Sequence, residues 1–185
     1  MYWYKMKIYR FFVLIIIIPL CGGCLKSTTK NTKPEIYYFD LKTFFNNEAH
    51  RLTKANKTIN KTVWLNNTPE KKQIKITKWA SELSFFSNSD INKTAWQNSY
   101  RKDSTATKIT YTAKFSDLKT RSITIYIVNK KPIRIKIINH QKNYIFENWE
   151  NLLYLPDAFY RIEKKQKLLF WDADVYKVEG FFTAL

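Results

Sequence analysis

The sequence predicts an α+β fold, with N-terminal helices packed on a mainly antiparallel β-meander sheet. Between residues 41 and 86, apolar side chains recur every three or four residues, a spacing typical of helices with one buried face. From Ala106 onward they alternate with polar side chains, as in strands that have one dry and one wet face. Short turns separate these strands, so neighbouring strands are expected to pair antiparallel.

The first helix is expected to begin after Asp40, whose carboxylate can cap it. Glu48 falls inside the apolar stripe of this helix, where an unpaired carboxylate would be costly. Arg51 lies three residues further on and can pair with it, while His50 lies on the opposite face. The stripe itself consists of Leu41, Phe44, Phe45, Leu52 and Ala55.

A hairpin and a second helix are expected next. Thr62 to Leu65 and Gln73 to Ile76 are typical of strands, and the turn-forming sequence Asn66-Asn67-Thr68-Pro69 lies between them. Apolar residues at helical spacing then predict a helix that contains Trp79, Leu83 and Phe86.

The rest of the chain is predicted to form strands joined by turns. A turn is expected at Asn129-Lys130-Lys131-Pro132 and another at Asp172-Ala173-Asp174. Asp172 and Asp174 could instead bind a divalent cation, but a tight turn accounts for the same residues. The predicted strands are Lys108–Phe115, Ile123–Ile127, Ile133–Ile137, Asn143–Trp149, Phe159–Glu163, Lys167–Trp171 and Val175–Phe181.

Residues 1–23 have the composition of an export signal peptide. Met1 to Arg10 contains three basic residues and no acid, and Phe11 to Leu20 is an apolar core. Ten helical residues extend about 15 Å, which is half of the roughly 30 Å thickness of the hydrocarbon layer. The segment therefore indicates a cleaved signal and not a membrane span.

Cys21-Gly22-Gly23-Cys24 follows the apolar core, and its glycines leave an unhindered backbone for a peptidase. This arrangement resembles the lipobox of bacterial lipoproteins, although Cys21 stands where leucine is common. The resemblance implies cleavage between Gly23 and Cys24 and acylation of the Cys24 thiol. The alternatives are a redox or metal-binding Cys-x-x-Cys pair and an uncleaved anchor helix. The chain has no further cysteine to complete a metal site.

Resemblance to Gram-negative lipoproteins also implies a location. The residues after Cys24 include no aspartate beside it and no acidic run, which indicates the periplasmic face of the outer membrane. Residues 24–35 are predicted to be the lipidated cysteine and a flexible tether, with a reach of roughly 20 Å. Residues 36–185 are predicted to be one globular domain.

Three short stretches of the mature chain resemble small bacterial envelope lipoproteins to which no activity is assigned. They are Tyr38 to Lys42, Trp79 to Leu83, and Asp90 to Lys93. This resemblance implies a location and a single domain, and it implies no catalytic or ligand-binding residue.

The sequence contains no motif that specifies a reaction. Gly180 is the single glycine after residue 23, so a glycine-rich phosphate loop is excluded. His50 and His140 have no nucleophile or metal ligand in a local motif. We therefore predict a non-enzymatic protein with no catalytic residue, no metal site and no cofactor.

The chain is strongly basic, and removal of residues 1–23 changes its formal charge from +17 to +14. Export argues against a nucleic-acid partner, whereas anionic lipids, glycans or an envelope protein would be attracted to such a domain. The candidate surface for an anionic partner is the wet face of the sheet, where lysines could equally serve solubility and edge protection. Its residues are Lys108, Lys114, Arg134 and Lys136.

Two functions from different classes remain open on the sequence. The first is an envelope module that binds a partner through its sheet or loops, and it requires a filled core. The second is a carrier or sensor of an apolar or lipid ligand, held in the cavity of a strongly curved half-barrel beneath the helices.

Overall fold

The computed structural model describes residues 35–182. The helices are α1 (Leu41–Ala55), α2 (Trp79–Glu82) and α3 (Ser84–Ser87), and Thr94–Trp96 forms a 3-10 turn. The strands are β1 (Thr58–Leu65), β2 (Thr68–Lys75), β3 (Tyr100–Ser104), β4 (Lys108–Ala113), β5 (Thr120–Val128), β6 (Lys131–Lys142), β7 (Phe146–Leu155), β8 (Phe159–Leu168) and β9 (Trp171–Phe182). The prediction of a mainly antiparallel sheet is confirmed; helices are a small part of the described chain, and α2 and α3 have only four residues each.

The described strands form a single antiparallel sheet in the order β2-β1-β9-β8-β7-β6-β5-β4-β3. Strands β3 to β9 follow one another as neighbours, and β1 then pairs with β9. Strands β2 and β3 are consecutive in sequence but lie at opposite edges of the sheet. The segment between them must therefore cross the sheet, and it carries α2, α3 and the 3-10 turn.

Aromatic side chains fill the space between the helices and the sheet. Phe45 of α1 stacks on Phe86 of α3 with ring centroids 4.9 Å apart, and both rings contact Tyr154 of β7. Trp79 of α2 stacks on Phe182 of β9 at 5.5 Å. These side chains are almost completely buried, and edge-to-face and offset contacts of this kind stabilise a core beyond the apolar area that they bury.

Two buried tyrosines connect the sheet to the helices by hydrogen bonds. Tyr154 and Tyr160 are cross-strand partners on β7 and β8. The Tyr154 hydroxyl donates to Glu48 of α1, and the Tyr160 hydroxyl donates to Glu82 of α2 at 2.6 Å. Burial, together with the adjacent carboxylates, raises the pKa of both tyrosines. We call these two contacts the tyrosine–carboxylate pairs.

Each carboxylate of these pairs also has a cationic partner. Arg51 binds Glu48 at 2.8 Å, as the sequence predicts, and Lys61 of β1 binds Glu82 at 2.6 Å. The hydrogen bond to Glu48 holds the pKa of Arg51 above its usual range. Glu48 is thus tolerated at the rim of the core because it receives hydrogen bonds from both a tyrosine and an arginine.

Gly180 makes room for Tyr160. The two residues are cross-strand partners on β8 and β9, and a Cβ atom on Gly180 would overlap the Tyr160 ring. The absence of a side chain at this position lets the ring lie across β9 and reach Glu82.

The predicted helix cap and two of the three predicted turns are observed. Asp40 accepts a hydrogen bond from the Thr43 backbone N–H at 2.8 Å and caps α1. Asn66 and Asn67 join β1 to β2 with positive φ angles, and Asn129 and Lys130 join β5 to β6 in the same way. Asparagine tolerates this left-handed conformation better than most residues.

The strand prediction is wrong at the last hairpin. Strand β8 pairs with β9 through Leu168 and Trp171, so the turn is Leu169-Phe170 and not Asp172-Ala173-Asp174. The segment Lys167–Trp171 is therefore the end of β8, a turn and the first residue of β9. Turn propensity favoured the two aspartates, whereas the pairing of β8 with β9, which extends past an irregularity between Gln166 and Leu168, determines the position of the turn.

The residues of the predicted signal peptide, cleavage site and tether, including Gly23 and Cys24, lie outside the described residues. None of the helices between residues 35 and 182 has the length and apolar character that crossing a bilayer requires.

We expect Gly180→Ala to lower the free energy of unfolding by about 1–3 kcal/mol, the usual cost of overpacking a core. The added methyl group would displace the Tyr160 ring from its position beside Glu82. Urea unfolding followed by tryptophan fluorescence measures the effect. In a Tyr160→Ala background, which removes the ring, the same glycine substitution should cost much less; an equal cost in both backgrounds would contradict this explanation.

We expect Tyr160→Phe to weaken the dependence of stability on alkaline pH. The pKa of Tyr160 is higher in the folded than in the unfolded chain. Its contribution is therefore complete below the unfolded pKa of about 10 and is lost as the pH rises above that value. Free energies of unfolding from about pH 8 to about pH 11 should fall less steeply for this variant than for the wild type.

The control for the pH experiment is Tyr144→Phe, because the Tyr144 side chain is 97% exposed. This variant should retain the wild-type slope. If both variants have the same slope as the wild type, Tyr160 does not make the contribution that its buried hydrogen bond implies.

Candidate binding surface

The face of the sheet opposite the helices contains a depression of about 480 Å³. We call this side the open face. One row of cross-strand partners crosses the depression from β6 to β9, and it consists of Ile138, Asn151, Glu163 and Lys177. Cross-strand partners in an antiparallel sheet lie on the same face, so these four side chains share the open face. The remaining lining residues are Lys136, Asn139, Trp149, Glu150, Lys164, Lys165 and Val175.

Trp149 forms the aromatic side of the depression. Its ring stacks on His140 with centroids 5.3 Å apart, and the Lys165 ammonium group lies 5.8 Å from the ring centre. His140 in turn contacts Glu147 at 2.9 Å, and this hydrogen bond lowers the pKa of the Glu147 carboxyl. Strand β6 thus positions His140 to support the indole ring.

Both carboxylates that line the depression, Glu150 and Glu163, are paired with a cation, and Lys177 is paired with a carboxylate. Glu163 accepts a hydrogen bond from Asn151 at 2.9 Å and lies 3.5 Å from Arg161. Lys177 pairs with Glu179 at 2.8 Å, and its ammonium group also lies 4.4 Å from the centre of the Trp64 ring. The depression therefore has little unpaired negative charge.

Three lysines of the lining form no ion pair within residues 35–182, namely Lys136, Lys164 and Lys165, and of these Lys136 and Lys165 lie on the open face. They line the depression from β6 and β8, next to the half-buried Trp149. The buried Oδ1 atom of Asn151 also lacks a hydrogen-bond partner in this part of the chain. Two lysines without an ion pair and an apolar ring are thus available to one ligand, whereas the Asn151 Oδ1 atom is too buried to contact it.

The structure brings three of the four predicted basic residues to the open face. Lys108 and Arg134 are both paired with Tyr126, and the Arg134 guanidinium carbon lies 5.5 Å from the tyrosine ring centre. Lys136 lies two residues from Arg134 and therefore on the same face of β6. These residues border the depression or line it.

Lys114 lies one residue beyond the end of β4 and does not line the depression. Strand β4 ends at Ala113, and the Lys114 backbone N–H donates to the Ser99 carbonyl at 2.9 Å, outside the strand. The alternation of polar and apolar residues continues through Lys114 and Phe115, but the chain has already turned toward β5. Periodicity alone does not locate the end of a strand.

Sequence reasoning missed Trp149, Asn151 and Lys165 as parts of this surface. Polar and apolar residues alternate in the segments that form β7 and β8, so part of the signal was present in the sequence. The prediction, however, ended β7 at Trp149 and divided β8 after Glu163. Without the register between strands, no pattern could indicate that Lys165 lies across from Trp149.

The other titratable candidates are dispersed. His50 is exposed on α1, and Asp174 accepts a hydrogen bond from the Asn66 side chain at 3.1 Å. Within residues 35–182, His, Cys, Asp and Glu side chains form no group of three that could hold a metal ion.

Comparison with protein-family models, with curated proteins and with solved structures finds no match for this chain.

Proposed function

We propose that this protein is a lipoprotein of the bacterial envelope and that it acts there as a non-enzymatic binding module. In this proposal, Cys24 carries the lipid after cleavage behind Gly23, and the domain faces the periplasm from the outer membrane. The support is the order of the cationic, apolar and Gly-Gly-Cys segments at the N-terminus.

The binding partner in this proposal is an anionic glycan of the envelope, held on the open face. The observation that carries this assignment is the pair of free cations, Lys136 and Lys165, beside the half-buried Trp149. Lysines can bind carboxylates or phosphates, and the indole offers an apolar surface. A depression of about 480 Å³ is the size of a small-ligand site and can accommodate part of a sugar chain.

The packing beneath the helices supports a binding module over a carrier of an apolar ligand. A carrier needs space between the helices and the sheet, where Phe45, Phe86 and Trp79 instead contact the tyrosines of the sheet. The accessible depression lies on the other face and is lined by charged groups.

We expect Cys24→Ala to abolish incorporation of radiolabelled fatty acid and to prevent formation of a mature chain that begins at residue 24. The matched control is Cys21→Ala, which removes the neighbouring thiol but leaves the proposed acylation site intact. Metabolic labelling and N-terminal mass spectrometry measure the two outcomes. Unchanged fatty-acid labelling of the Cys24 variant would refute the proposed acylation of Cys24.

We expect the double variant Lys136→Gln/Lys165→Gln to bind soluble, carboxylate-bearing peptidoglycan fragments at least about tenfold more weakly than the wild type. A hydrogen bond to a charged group contributes about 1.5–3 kcal/mol, and about 1.4 kcal/mol corresponds to a tenfold change. Isothermal titration calorimetry measures the affinity, which should also fall with added salt.

The control for this experiment is Lys42→Gln/Lys54→Gln, which removes the same formal charge from exposed positions on α1. This variant should bind like the wild type. If both double variants lose affinity equally, binding depends on net charge and not on the depression, and the proposed site is wrong.

A further inference from the structure

Two adjacent hairpin turns expose large apolar side chains at one end of the sheet. The β6–β7 turn contains Tyr144, which is 97% exposed, and the β8–β9 turn contains Phe170, which is 82% exposed. The Leu169 backbone N–H donates to the Ile145 carbonyl at 3.0 Å, so the two turns are hydrogen-bonded to each other. We call the patch formed by Tyr144, Ile145, Leu169, Phe170 and Trp171 the apolar tip.

Turn formation does not require apolar residues at these positions. The β1–β2 and β5–β6 hairpins of the same sheet use Asn66-Asn67 and Asn129-Lys130. Leu169-Phe170 instead places two apolar side chains where polar ones are usual. The tip exposes on the order of several hundred Å² of apolar surface, an amount that on a monomer commonly marks an interaction site.

The composition of the tip matches a lipid head-group region better than a protein pocket. Tyrosine and tryptophan are enriched at membrane interfaces because their rings combine apolar and polar parts. On the open face, Lys142 of β6 and Lys167 of β8 lie on either side of Glu147 of β7. These three cross-strand partners are next to the tip. The long lysine side chains can cover apolar surface while the ammonium groups contact lipid phosphates.

The chain enters the described domain at the same end of the sheet. The backbone N–H groups of Tyr37 and Tyr38 donate to Asn92. Ser89, three residues before Asn92, accepts a hydrogen bond from Asn139 at 2.8 Å, and Asn139 lies close to the end of β6. Helix α1 then runs away from this end, because Arg51 in its last turns pairs with Asp157 of the β7–β8 turn.

The segment between Cys24 and the described domain is short enough for a lipid on Cys24 and the apolar tip to reach the same membrane. Residues 25–34 separate Cys24 from the first described residue, Glu35, and a flexible segment of this length reaches roughly 20 Å. Asn139 is itself only about 15 Å from the tip along β6, at about 3.3 Å per residue. A lipid on Cys24 and the apolar tip can therefore contact the same bilayer.

We propose that the apolar tip inserts into the head-group region of the anionic bilayer that holds the lipid anchor. This inference rests on the proposed acylation of Cys24 for its anchor, and on the tip for its second contact. Two contacts fix the orientation of the domain, with the strands rising from the membrane and the open face accessible to the periplasm. The strongly basic body of the domain adds attraction to the anionic surface.

The experiment uses the full chain, processed in cells and reconstituted into vesicles of phosphatidylethanolamine and phosphatidylglycerol. A polarity-sensitive dye is attached through Tyr144→Cys at the tip, or through Ala106→Cys in the exposed β3–β4 turn at the opposite end. We expect lipids with brominated acyl chains to quench the dye at position 144 and not the dye at position 106.

A second set of variants tests the side chains themselves. Phe170→Ser/Trp171→Ser should largely abolish the quenching at position 144, because it removes two exposed aromatic rings from the tip. Val128→Ser/Ile133→Ser removes exposed apolar side chains beside the β5–β6 turn and should leave the quenching unchanged. Near-ultraviolet circular dichroism of each variant verifies that the fold is retained.

The outcomes separate this inference from the proposed anchor. An acylated chain whose position-144 dye remains accessible to an aqueous quencher overturns the inference and leaves the anchor intact. If the chain is not acylated but its dye is still quenched by brominated lipid, the proposed acylation of Cys24 is wrong and insertion of the apolar tip is supported. If the dye is shielded only in native envelope membranes and not in lipid vesicles, the tip binds a protein and the inference is wrong.

Discussion

The hydrogen bonds from Tyr154 and Tyr160 to two helix carboxylates determine how the layers of this protein are arranged. Both tyrosines lie at the same level on adjacent strands, and each reaches a different helix. Because each carboxylate is also bound by a cation, neither charge is buried without compensation. The helices are thereby attached to one face of the sheet, and the opposite face is left free for ligands.

The sequence predicted most of the local structure for identifiable physical reasons. Asp40 before an apolar stripe indicated the start of α1, and Asn66-Asn67 between two strand-like segments indicated a hairpin. Alternation with a period of two revealed the strands of the C-terminal half. Each of these signals is local, because it arises from backbone preferences or from the two faces of a single element.

Features that depend on pairing between distant strands were not predictable in this way. The β8–β9 turn was placed at Asp172 to Asp174 because Leu169 and Phe170 carry no turn signal. The depression was missed because Lys136, Trp149 and Lys165 come from three strands whose register is a tertiary property. The pair formed by Glu48 and Arg51 was predicted from helical spacing, but its tyrosine donor on β7 was not.

The pairing of β1 with β9 has a consequence for how the domain reaches its native state. Ile59 and Phe182 are direct partners, so strands from the two ends of the described chain must meet before the sheet is complete. Contacts of such large sequence separation carry a high loop-closure entropy and slow the folding of β-rich proteins. During vectorial synthesis, strand β1 has no partner on its β9 side until the last strand has been made. Strand β2 is an edge of the finished sheet as well, and its closely spaced lysines oppose pairing of that edge with a second chain.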